Sequence, residues 1–250
     1  MAIDSRQLVI GNWKMNGIAA DLAEIEKIAR NVGELRADIV ICPPATLLHA
    51  AANITVGTRL SLGAQDCSSE QSGAYTGDIS ARMIVDCGAR FVILGHSERR
   101  QYRGESDLIV KRKAEIALSV GLTPVICVGE TEAERIGNET IAVLEKQLRD
   151  GLPSKSEHDH LVIAYEPLWA IGTGRIPDGN EILSAHRAIR GSLTDAYGSG
   201  GTEVSIVYGG SVKPENSAEI LGLENVDGAL VGGASLRAET FLKICAASRT

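Results

Sequence analysis

One stretch of the chain, Leu161-Val-Ile-Ala-Tyr-Glu-Pro-Leu-Trp-Ala-Ile-Gly-Thr-Gly174, joins a strand-like run to a glycine-containing loop. The apolar run from Leu161 to Tyr165 has the length of a buried strand. Glu166 follows directly, and Pro167, which has no N–H group to donate to a ladder, ends the regular pairing. The apolar loop can exclude water, and its glycines can bring backbone N–H groups close to an anion. The stretch predicts a carboxylate base beneath a lid; a solvated loop with one incidental acid is the alternative.

Eight short apolar runs of this kind alternate with helix-like segments along the chain. They lack the polar alternation of a half-exposed strand, so we expect both faces of each strand to be buried, as in a parallel sheet covered by helices. Such alternation is typical of consecutive βα units. The runs are 8–10, 39–42, 60–64, 91–94, 124–128, 161–165, 204–208 and 228–231.

The segments between the runs carry helix signals. Thr131 and Glu134 have the spacing of a capping box ahead of the apolar residues 141–144. The late helices are expected at 181–197 and 213–221. Earlier in the chain, apolar residues recur at three- and four-residue steps at Ile18, Leu22, Ile25, Ala29 and Val32.

Eight βα units predict an α/β fold, a single (β/α)8 barrel, with a doubly wound open sheet as the alternative. No Gly-x-Gly-x-x-Gly motif follows the first run, which weakens the dinucleotide-binding version of the open sheet. We find no linker between domains, because 153–160 is only a polar surface loop and 198–201 is short. We therefore expect one barrel domain over residues 1–250.

The composition is that of an ordinary globular protein, with 44% hydrophobic and 23% charged residues. The net charge of -7 argues against a nucleic-acid partner, because nucleic-acid-binding proteins present a basic face. An anionic substrate would need local positive potential, from a lysine or from helix N-termini. The five cysteines include no Cys-x-x-Cys pair and predict reduced thiols in a cytoplasmic protein. No run is long enough to predict a membrane span, and the first residues lack a signal core.

The chemically distinctive residues follow one rule, because each group comes just after a strand-like run. Asn12 and Lys14 follow the first run, His96 and Glu98 the fourth, and Glu166 the sixth. Paired glycines follow the seventh and eighth runs. In a barrel these loops share the carboxyl-terminal face of the strands, so residues distant in sequence can meet there. The sequence predicts an active site at this face.

The paired glycines, in Gly209-Gly-Ser211 and Gly232-Gly233, fit a phosphate-binding site. Glycine lets backbone N–H groups turn toward an anion, and the N-termini of following helices favour negative charge. The alternative is that the pairs only make tight strand-to-helix turns. Lys14 would add positive charge, unless it is simply a solvated surface lysine.

Several motifs together resemble the triosephosphate isomerase family. The segment 165–174 matches the family's lid motif. Four other motifs match as well, Gly11-Asn-Trp-Lys14, Gly95-His-Ser-Glu-Arg99, Tyr208-Gly-Gly-Ser-Val212 and Val231-Gly-Gly-Ala-Ser235. Five matches in the family's order make the resemblance specific. It implies a TIM barrel that interconverts dihydroxyacetone phosphate and glyceraldehyde 3-phosphate, an isomerase of glycolysis and gluconeogenesis.

The resemblance also implies a role for the motif residues. Glu166 is the catalytic base, His96 is a neutral electrophile that donates to the substrate oxygen, as is known for this family, and Lys14 completes the catalytic set. Glu98 supports Lys14, where we expect ion pairing and leave a proton-shuttle role open. The substrate-binding residues are Asn12, Lys14, Gly172, Ser211, Gly232 and Gly233.

The proposed chemistry needs no metal, nicotinamide or flavin. A metal reading of His96-x-Glu98 is weak, because two ligands are too few for a stable site. Proton transfer next to a carbonyl requires only a base and groups that stabilise the enediolate oxygen. A lid would protect the intermediate by excluding water.

The resemblance assigns the lid to eleven residues. Family members commonly have two small residues after a basic one at its far end, whereas this chain has Ile176 and Pro177 after Arg175. Both residues restrict the backbone, so we expect the pivot at Gly174 and Arg175, unless Pro177 simply starts the next helix. The lid residues are Pro167, Leu168, Trp169, Ala170, Ile171, Gly172, Thr173, Gly174, Arg175, Ile176 and Pro177.

The polar loop 65–79 is long enough to suggest a purpose. In the family this loop inserts into a partner subunit near the catalytic lysine. The tip here would be Tyr75, Thr76 and Gly77, and Met15 would form part of the socket. The resemblance therefore implies a homodimer; a disordered excursion is the alternative.

Two other functions stay open. A Schiff-base aldolase would use the same phosphate site but needs an unprotonated lysine on an inner strand, and none of the eight runs contains one. A non-enzymatic phosphosugar-binding protein would keep the glycine pairs but has no need of both Glu166 and His96.

Overall fold

The computed structural model describes residues 6–154, 160–171 and 175–249. Eight parallel strands form a closed barrel in sequence order, and β8 pairs with β1 to close it. The predicted fold class is confirmed. The strands are β1 Leu8–Asn12, β2 Asp38–Cys42, β3 Leu60–Ala64, β4 Phe91–Leu94, β5 Thr123–Val128, β6 Val162–Tyr165, β7 Ser205–Tyr208 and β8 Gly228–Val231.

The strands are apolar throughout because each contributes to two cores. One set of side chains fills the barrel interior, and the other packs between the barrel and the surrounding helices. The interior set comprises Leu8, Ile10, Val40, Cys42, Ile93, Val125, Cys127, Val162, Ala164, Val207 and Leu230. This double burial explains why the runs could be found without polar alternation.

The predicted bounds of β3, β4 and β8 are confirmed, and those of the other strands differ by one residue, or by two in β1. This strand continues through Gly11 and Asn12, which pair with Ile41 and Cys42 of β2. A Cβ on Gly11 would lie 2.7 Å from the Ile41 Cδ1 atom, so the side-chain-free residue permits this close packing. Asn12 is therefore the last residue of the strand and is carried directly to the barrel rim.

Helices separate the strands and cover the barrel. They are α1 Leu22–Asn31, α2 Ala45–Thr55, α3 Ala81–Asp86, α4 Ser97–Arg103, α5 Asp107–Ser119, α6 Glu132–Ile136, α7 Thr140–Gly151, α8 Gly179–Tyr197, α9 Pro214–Leu221 and α10 Ala238–Ala246. None of the described helices is long and apolar enough to cross a membrane. All five cysteines are free thiols. That the whole chain folds as one domain stays a prediction.

Two helix predictions need correction. Ile18 precedes α1 and is exposed, because the chain first makes a 3-10 turn at Ala19–Asp21. The Thr131–Glu134 capping box exists, but it caps the short helix α6 and not the helix that carries residues 141–144. Asn138, with φ of 57°, separates α6 from α7, since a left-handed residue ends helical geometry.

Candidate active site

The loops at the carboxyl ends of the strands enclose a cleft of about 290 Å³. The structure brings together there the polar residues and glycine pairs at or just after the ends of β1, β4, β6, β7 and β8, as expected for a barrel. Its lining comprises Asn12, Lys14, His96, Glu166, Ile171, Gly209, Gly210, Ser211, Val212, Lys213, Leu230, Gly232, Gly233 and Ala234. Glu98 lies next to this set and contacts Lys14.

Glu166 is buried at the end of β6, with 2% of its surface exposed. Its N–H donates to the Val128 carbonyl at 2.8 Å, which extends the β5–β6 pairing by one residue. One carboxylate oxygen accepts from the Ser97 N–H at 2.9 Å. The other lies 2.9 Å from Nε2 of His96. The carboxylate is therefore held rigidly by β5, β6 and the start of α4.

His96 is the N-cap residue of α4 and is almost completely buried. Its Nδ1 atom accepts a hydrogen bond from the Glu98 N–H at 3.3 Å. A ring nitrogen that accepts carries no proton, so this bond fits a neutral imidazole with its proton on Nε2. That proton points at Glu166. The capping interaction thus sets both the orientation and the tautomer of the ring.

His96 and Glu166 change each other's pKa. Burial lowers the pKa of His96, but the charge and hydrogen bond of Glu166 outweigh it and raise that pKa. Burial raises the pKa of Glu166, but His96 and the Ser97 N–H outweigh it and lower that pKa. The pair therefore keeps a fully buried carboxylate ionised, which is the state that a base requires.

Lys14 has φ of 53°, an unusual conformation for a residue with a side chain. The turn is fixed on both sides. The Oδ1 atom of Asn12 accepts from the Lys14 N–H at 3.0 Å, and Nε2 of Gln65 donates to the Lys14 carbonyl at 2.8 Å. Strain held by such bonds is common at functional sites. The turn directs the lysine along the barrel rim.

The Lys14 ammonium contacts a carboxylate oxygen of Glu98 at 2.7 Å. This is the ion pair expected from the sequence, although nearly half of the Glu98 side chain is exposed in this chain. The side chain of Lys14 also runs beside loop eight, since a Cβ on Gly232 would lie 3.5 Å from its Cε atom. Lys14 therefore links the histidine loop to the second glycine pair.

The two glycine pairs serve different structural purposes. A Cβ on Gly209 would lie 2.9 Å from Cγ of Glu166, and a Cβ on Gly210 would lie 2.1 Å from the Tyr208 hydroxyl. A Cβ on Gly233 would meet nothing within 4 Å. The first pair is thus required by close packing around the base. The second pair leaves backbone accessible at the cleft.

The beginning of the lid segment, Pro167 to Ile171, makes a tight turn above Glu166. Its backbone is anchored where the Leu168 N–H donates to the Glu130 carbonyl at 3.1 Å. The Ser211 hydroxyl reaches the Ala170 carbonyl at 3.4 Å, which brings loop seven against this turn. The predicted site residue Gly172 and the predicted lid residues Thr173 and Gly174 lie outside the described residues.

Glu130 is a buried acid that the sequence predictions omitted. One of its oxygens accepts from Nε1 of Trp169 at 2.7 Å and from the Tyr165 hydroxyl at 3.2 Å. Burial raises the pKa of this carboxyl, more than its hydrogen bonds lower it. Glu130 comes two residues after β5, so the rule that located the other site residues would have found it.

Arginines pack against Trp169. The guanidinium of Arg135 lies 4.6 Å from the indole ring centre, and that of Arg175 lies 5.6 Å from it. Arg175 also donates to the Trp169 carbonyl at 3.0 Å and contacts Glu132 at 2.8 Å. This cluster ties the beginning of the lid segment to α6.

Pro177 does not start the next helix. Helix α8 begins at Gly179 and is capped by Asp178, whose side chain and that of Glu181 form a capping box. Pro177 precedes the cap and is buried, whereas Ile176 is exposed.

The loop 65–79 is closed at its base and ordered near its tip. The Ser68 hydroxyl donates to Asp78 at 2.7 Å, and the Ser68 N–H donates to the Ile79 carbonyl at 2.8 Å. A turn joins Asp78 to Tyr75 by a backbone bond of 3.0 Å. These bonds argue against a disordered excursion. Tyr75, Thr76 and Gly77 are exposed in the single chain, and so is Met15.

The fold and the cleft define a (β/α)8-barrel enzyme with an ionised carboxylate, a histidine and a lysine at the carboxyl-terminal face of its strands. None of the eight strands contains a lysine, which removes the basis for a Schiff-base aldolase on an inner strand. Within the described residues, no three His, Cys, Asp or Glu side chains are grouped as metal ligands.

Comparisons with known proteins identify the family. A family model described as triosephosphate isomerase matches residues 7–248. The chain is 51% identical to the triosephosphate isomerase of Xanthobacter flavus over 247 residues, or 99% of each chain. It is 50% identical to that of Afipia carboxidovorans over 244 residues, or 97% of each chain. The crystal structure of triosephosphate isomerase from Bartonella henselae matches with a TM-score of 0.92 and 42% identity, over 97% of this chain and 99% of that chain. The chain belongs to the triosephosphate isomerase family.

Proposed function

We propose that Glu166, His96 and Lys14 catalyse the reaction of this family, the interconversion of dihydroxyacetone phosphate and glyceraldehyde 3-phosphate in glycolysis and gluconeogenesis. The observation that carries the proposal is the buried contact of 2.9 Å between the Glu166 carboxylate and Nε2 of His96. It joins an ionised base to a donor that can face a carbonyl oxygen. This combination suits proton transfer beside a carbonyl.

Glu166 removes a proton from the carbon next to the carbonyl group. The bonding electron pair moves toward the carbonyl oxygen and forms an enediolate. The Nε2 proton of His96 and the ammonium of Lys14 stabilise the charge on oxygen. The hydroxyl proton on the deprotonated carbon is transferred to the former carbonyl oxygen, and Glu166 returns its proton to the former carbonyl carbon, which completes the isomerisation without a net change in protons. In the complex, the substrate oxygen takes the place of Glu166 as the acceptor for His96.

The phosphate group is held by loops seven and eight. Ser211 supplies a hydroxyl, and Gly232 and Gly233 supply backbone N–H groups at an accessible part of the cleft. Gly172 would add a further donor, as the sequence indicates. Asn12 and Lys14 orient the rest of the substrate from β1.

Replacement of Gly232 tests the phosphate site. A Cβ at Gly232 would be in ordinary contact with Lys14, and the branches of valine would extend toward the anion. Gly232→Val should raise the inhibition constant of inorganic phosphate, whereas Glu166→Gln should change it little. Equal phosphate inhibition in wild type and folded Gly232→Val would refute this assignment.

A coupled isomerase assay tests the catalytic assignment. Glu166→Gln removes the basic oxygen with little change in size, and should lower kcat by about 10²- to 10⁴-fold. Glu203→Gln, at an exposed acid outside the cleft, is the matched control and should keep wild-type turnover. Near-normal kcat in folded Glu166→Gln would exclude Glu166 as the base. A protein that only binds phosphosugars would show no turnover even as wild type.

The loop 65–79 is proposed to form a homodimer. Three observations support this partner: the ordered loop, its exposed Tyr75, and Met15, which is 97% exposed in the single chain. Gln65, at the base of the loop, donates to the Lys14 carbonyl, so a partner that packs on the loop would also steady the catalytic lysine.

Sedimentation provides the test of the dimer. Deletion of residues 69–75 should give monomers with little activity. An intact protein that sediments as an active monomer at assay concentration would contradict the proposal.

A cytoplasmic location is proposed from the cysteines. The five thiols are unpaired in the structure, four of them are buried, and none needs an oxidising compartment. Fractionation of cells that express the tagged protein would test this, with recovery outside the cytoplasm as the contrary result.

A further inference from the structure

We propose that Lys213, which has no role in the catalytic assignment above, attracts the anionic substrate to the cleft by long-range electrostatics. The inference rests on the proposed function, because it requires that a substrate phosphate enter between loops seven and eight. The role inferred for Lys213 is distinct from the catalytic assignment. Lys213 would raise the rate at which substrate and enzyme meet, and other residues would carry out the chemical step.

Lys213 is fixed at the mouth of the cleft. It is the N-cap residue of α9 and lines the cleft two residues after Ser211. The side chain of Asn216 bonds this loop at two points. Its Oδ1 atom accepts from the Lys213 N–H at 2.8 Å, and its Nδ2 atom donates to the Ser211 carbonyl at 3.1 Å. The backbone position is therefore set by two bonds, while the lysine side chain is exposed.

The charge of Lys213 is not compensated at close range. Among residues 6–154, 160–171 and 175–249, no carboxylate lies within 4.0 Å of its ammonium group. The other lysine of the cleft, Lys14, is paired with Glu98 at 2.7 Å. The cleft also contains the carboxylate of Glu166. Lys213 therefore provides the main unpaired positive charge among the described residues that line the cleft.

The rest of the protein makes such a charge useful. The chain has a net charge of -7, so a phosphate carrying about two negative charges at neutral pH is repelled by the molecule as a whole. One exposed cation at the entrance creates a local region of favourable potential that extends over about 8–10 Å at moderate salt. An exposed lysine acts at this distance without the desolvation that a direct contact would require.

The test is the dependence of kcat/KM on ionic strength. Lys213→Gln should lower kcat/KM by about two- to five-fold near 10 mM ionic strength, and the ratio to wild type should approach one near 300 mM. The value of kcat should stay unchanged, because the substrate is already bound when the chemical step occurs. Lys213→Arg should keep wild-type behaviour at every salt concentration.

Lys111→Gln is the matched control. Lys111 lies on α5, outside the cleft, and has no ion-pair partner among the described residues, so this variant has the same loss of charge. It should retain the wild-type salt dependence. Equal effects of Lys111→Gln and Lys213→Gln would overturn the proposal by assigning the effect to net charge.

Two other results would also overturn it. A defect of Lys213→Gln that persists at high salt would indicate a direct bound-state contact, and a fall in kcat would indicate a role in chemistry. Failure of the catalytic assignment has a different signature, since it appears as undiminished kcat in Glu166→Gln and leaves the salt dependence measurable.

Discussion

The Nε2 atom of His96 lies 2.9 Å from Oε1 of Glu166, in a contact that joins the N-terminus of α4 to the end of β6. Both side chains are buried, so solvent does not screen the interaction effectively. The contact lowers the pKa of Glu166 although burial acts in the opposite direction. The base of the proposed reaction therefore depends on the electrophile for its own ionisation.

Replacement of His96 should shift the pH profile in a defined direction. In His96→Asn the amide oxygen can still accept from the Glu98 N–H, but the side chain is too short to reach Glu166. Loss of His96 removes the two largest effects that lower the pKa of Glu166 and leaves only the Ser97 N–H and Lys14 to oppose burial, so this pKa should rise. The acidic limb of kcat/KM reports the free enzyme and should move to higher pH, along with a lower maximum rate.

The control for this experiment is His49→Asn, because His49 is exposed on α2. Its profile should match that of wild type. An acidic limb in His96→Asn that stays in place or moves to lower pH would contradict the coupling between His96 and Glu166.

Gly209→Ala should impair catalysis by displacing Glu166. The new Cβ would lie 2.9 Å from Cγ of Glu166 and 3.1 Å from the Tyr165 carbonyl oxygen, so the side chain or the strand end must move. A displacement approaching 1 Å at a catalytic group can cost about 100-fold in rate. We expect kcat to fall by about 10- to 100-fold in a folded protein, measured by the coupled assay and circular dichroism.

Gly191→Ala is the matched control for this substitution. Gly191 lies within α8, where an added Cβ would meet nothing within 4 Å. Alanine should be tolerated there and should stabilise the helix by about 0.5–1 kcal/mol. Wild-type kcat in Gly209→Ala would show that the close packing around Glu166 does not position it.

His186 should make folding stability depend on pH. It is fully buried, and its Nδ1–H donates to the Asn225 carbonyl at 2.7 Å. The pKa of His186 is lowered from 6.5 to about 4, and burial is the largest cause. The bond to Asn225 and the charge of Asp227 raise this pKa by less than burial lowers it, and the charge of Arg190 lowers it further. Between these values the unfolded chain binds a proton that the folded chain does not. Stability is therefore lost as pH falls from 6.5 toward 4, by about 3 kcal/mol in total.

Urea unfolding at pH 7 and pH 4.5 measures this contribution. In His186→Asn the amide can keep the bond to Asn225, but the titrating group is gone. The difference in unfolding free energy between the two pH values should be smaller in this variant than in wild type and in His49→Asn. An equal pH dependence in all three proteins would rule out His186 as its source.

The barrel could be predicted from the sequence because burial on both faces restricts which residues a strand can contain. Strands buried on both faces require uninterrupted apolar runs, and polar residues that follow them must lie at the barrel rim. This reasoning located Asn12, Lys14, His96 and Glu166 in one cleft. The same rule applied to Gly129-Glu130 after β5 would have included the acid that supports Trp169.

Other features depend on contacts that residue order does not encode. Gly209 and Gly210 have the appearance of an anion-binding turn, but the need for glycine at Gly209 comes from Glu166, which lies more than forty residues earlier in the chain, and at Gly210 it comes from the nearby Tyr208 hydroxyl. The pairing of Arg135 and Arg175 with Trp169 likewise depends on how α6 packs beside the lid segment. Such packing follows from the three-dimensional arrangement and has no local sequence period.

Arg175 should restrain Trp169, and its removal should be visible in tryptophan fluorescence. The arginine contacts the Trp169 carbonyl, the indole ring and Glu132 at the same time. Arg175→Ala removes all three contacts, so the indole should become more accessible to acrylamide. Loss of a partly exposed cation–π contact should raise the population of the displaced indole by about two- to five-fold.

Glu132→Gln should have an intermediate effect, because the contacts with Trp169 remain. Arg187→Ala, which removes an exposed arginine of α8 that is paired with Glu224, is the control for lost charge. The only other tryptophan, Trp13, is buried and should contribute a constant signal. Equal quenching of wild type, Arg175→Ala and Arg187→Ala would mean that Arg175 does not restrain the beginning of the lid.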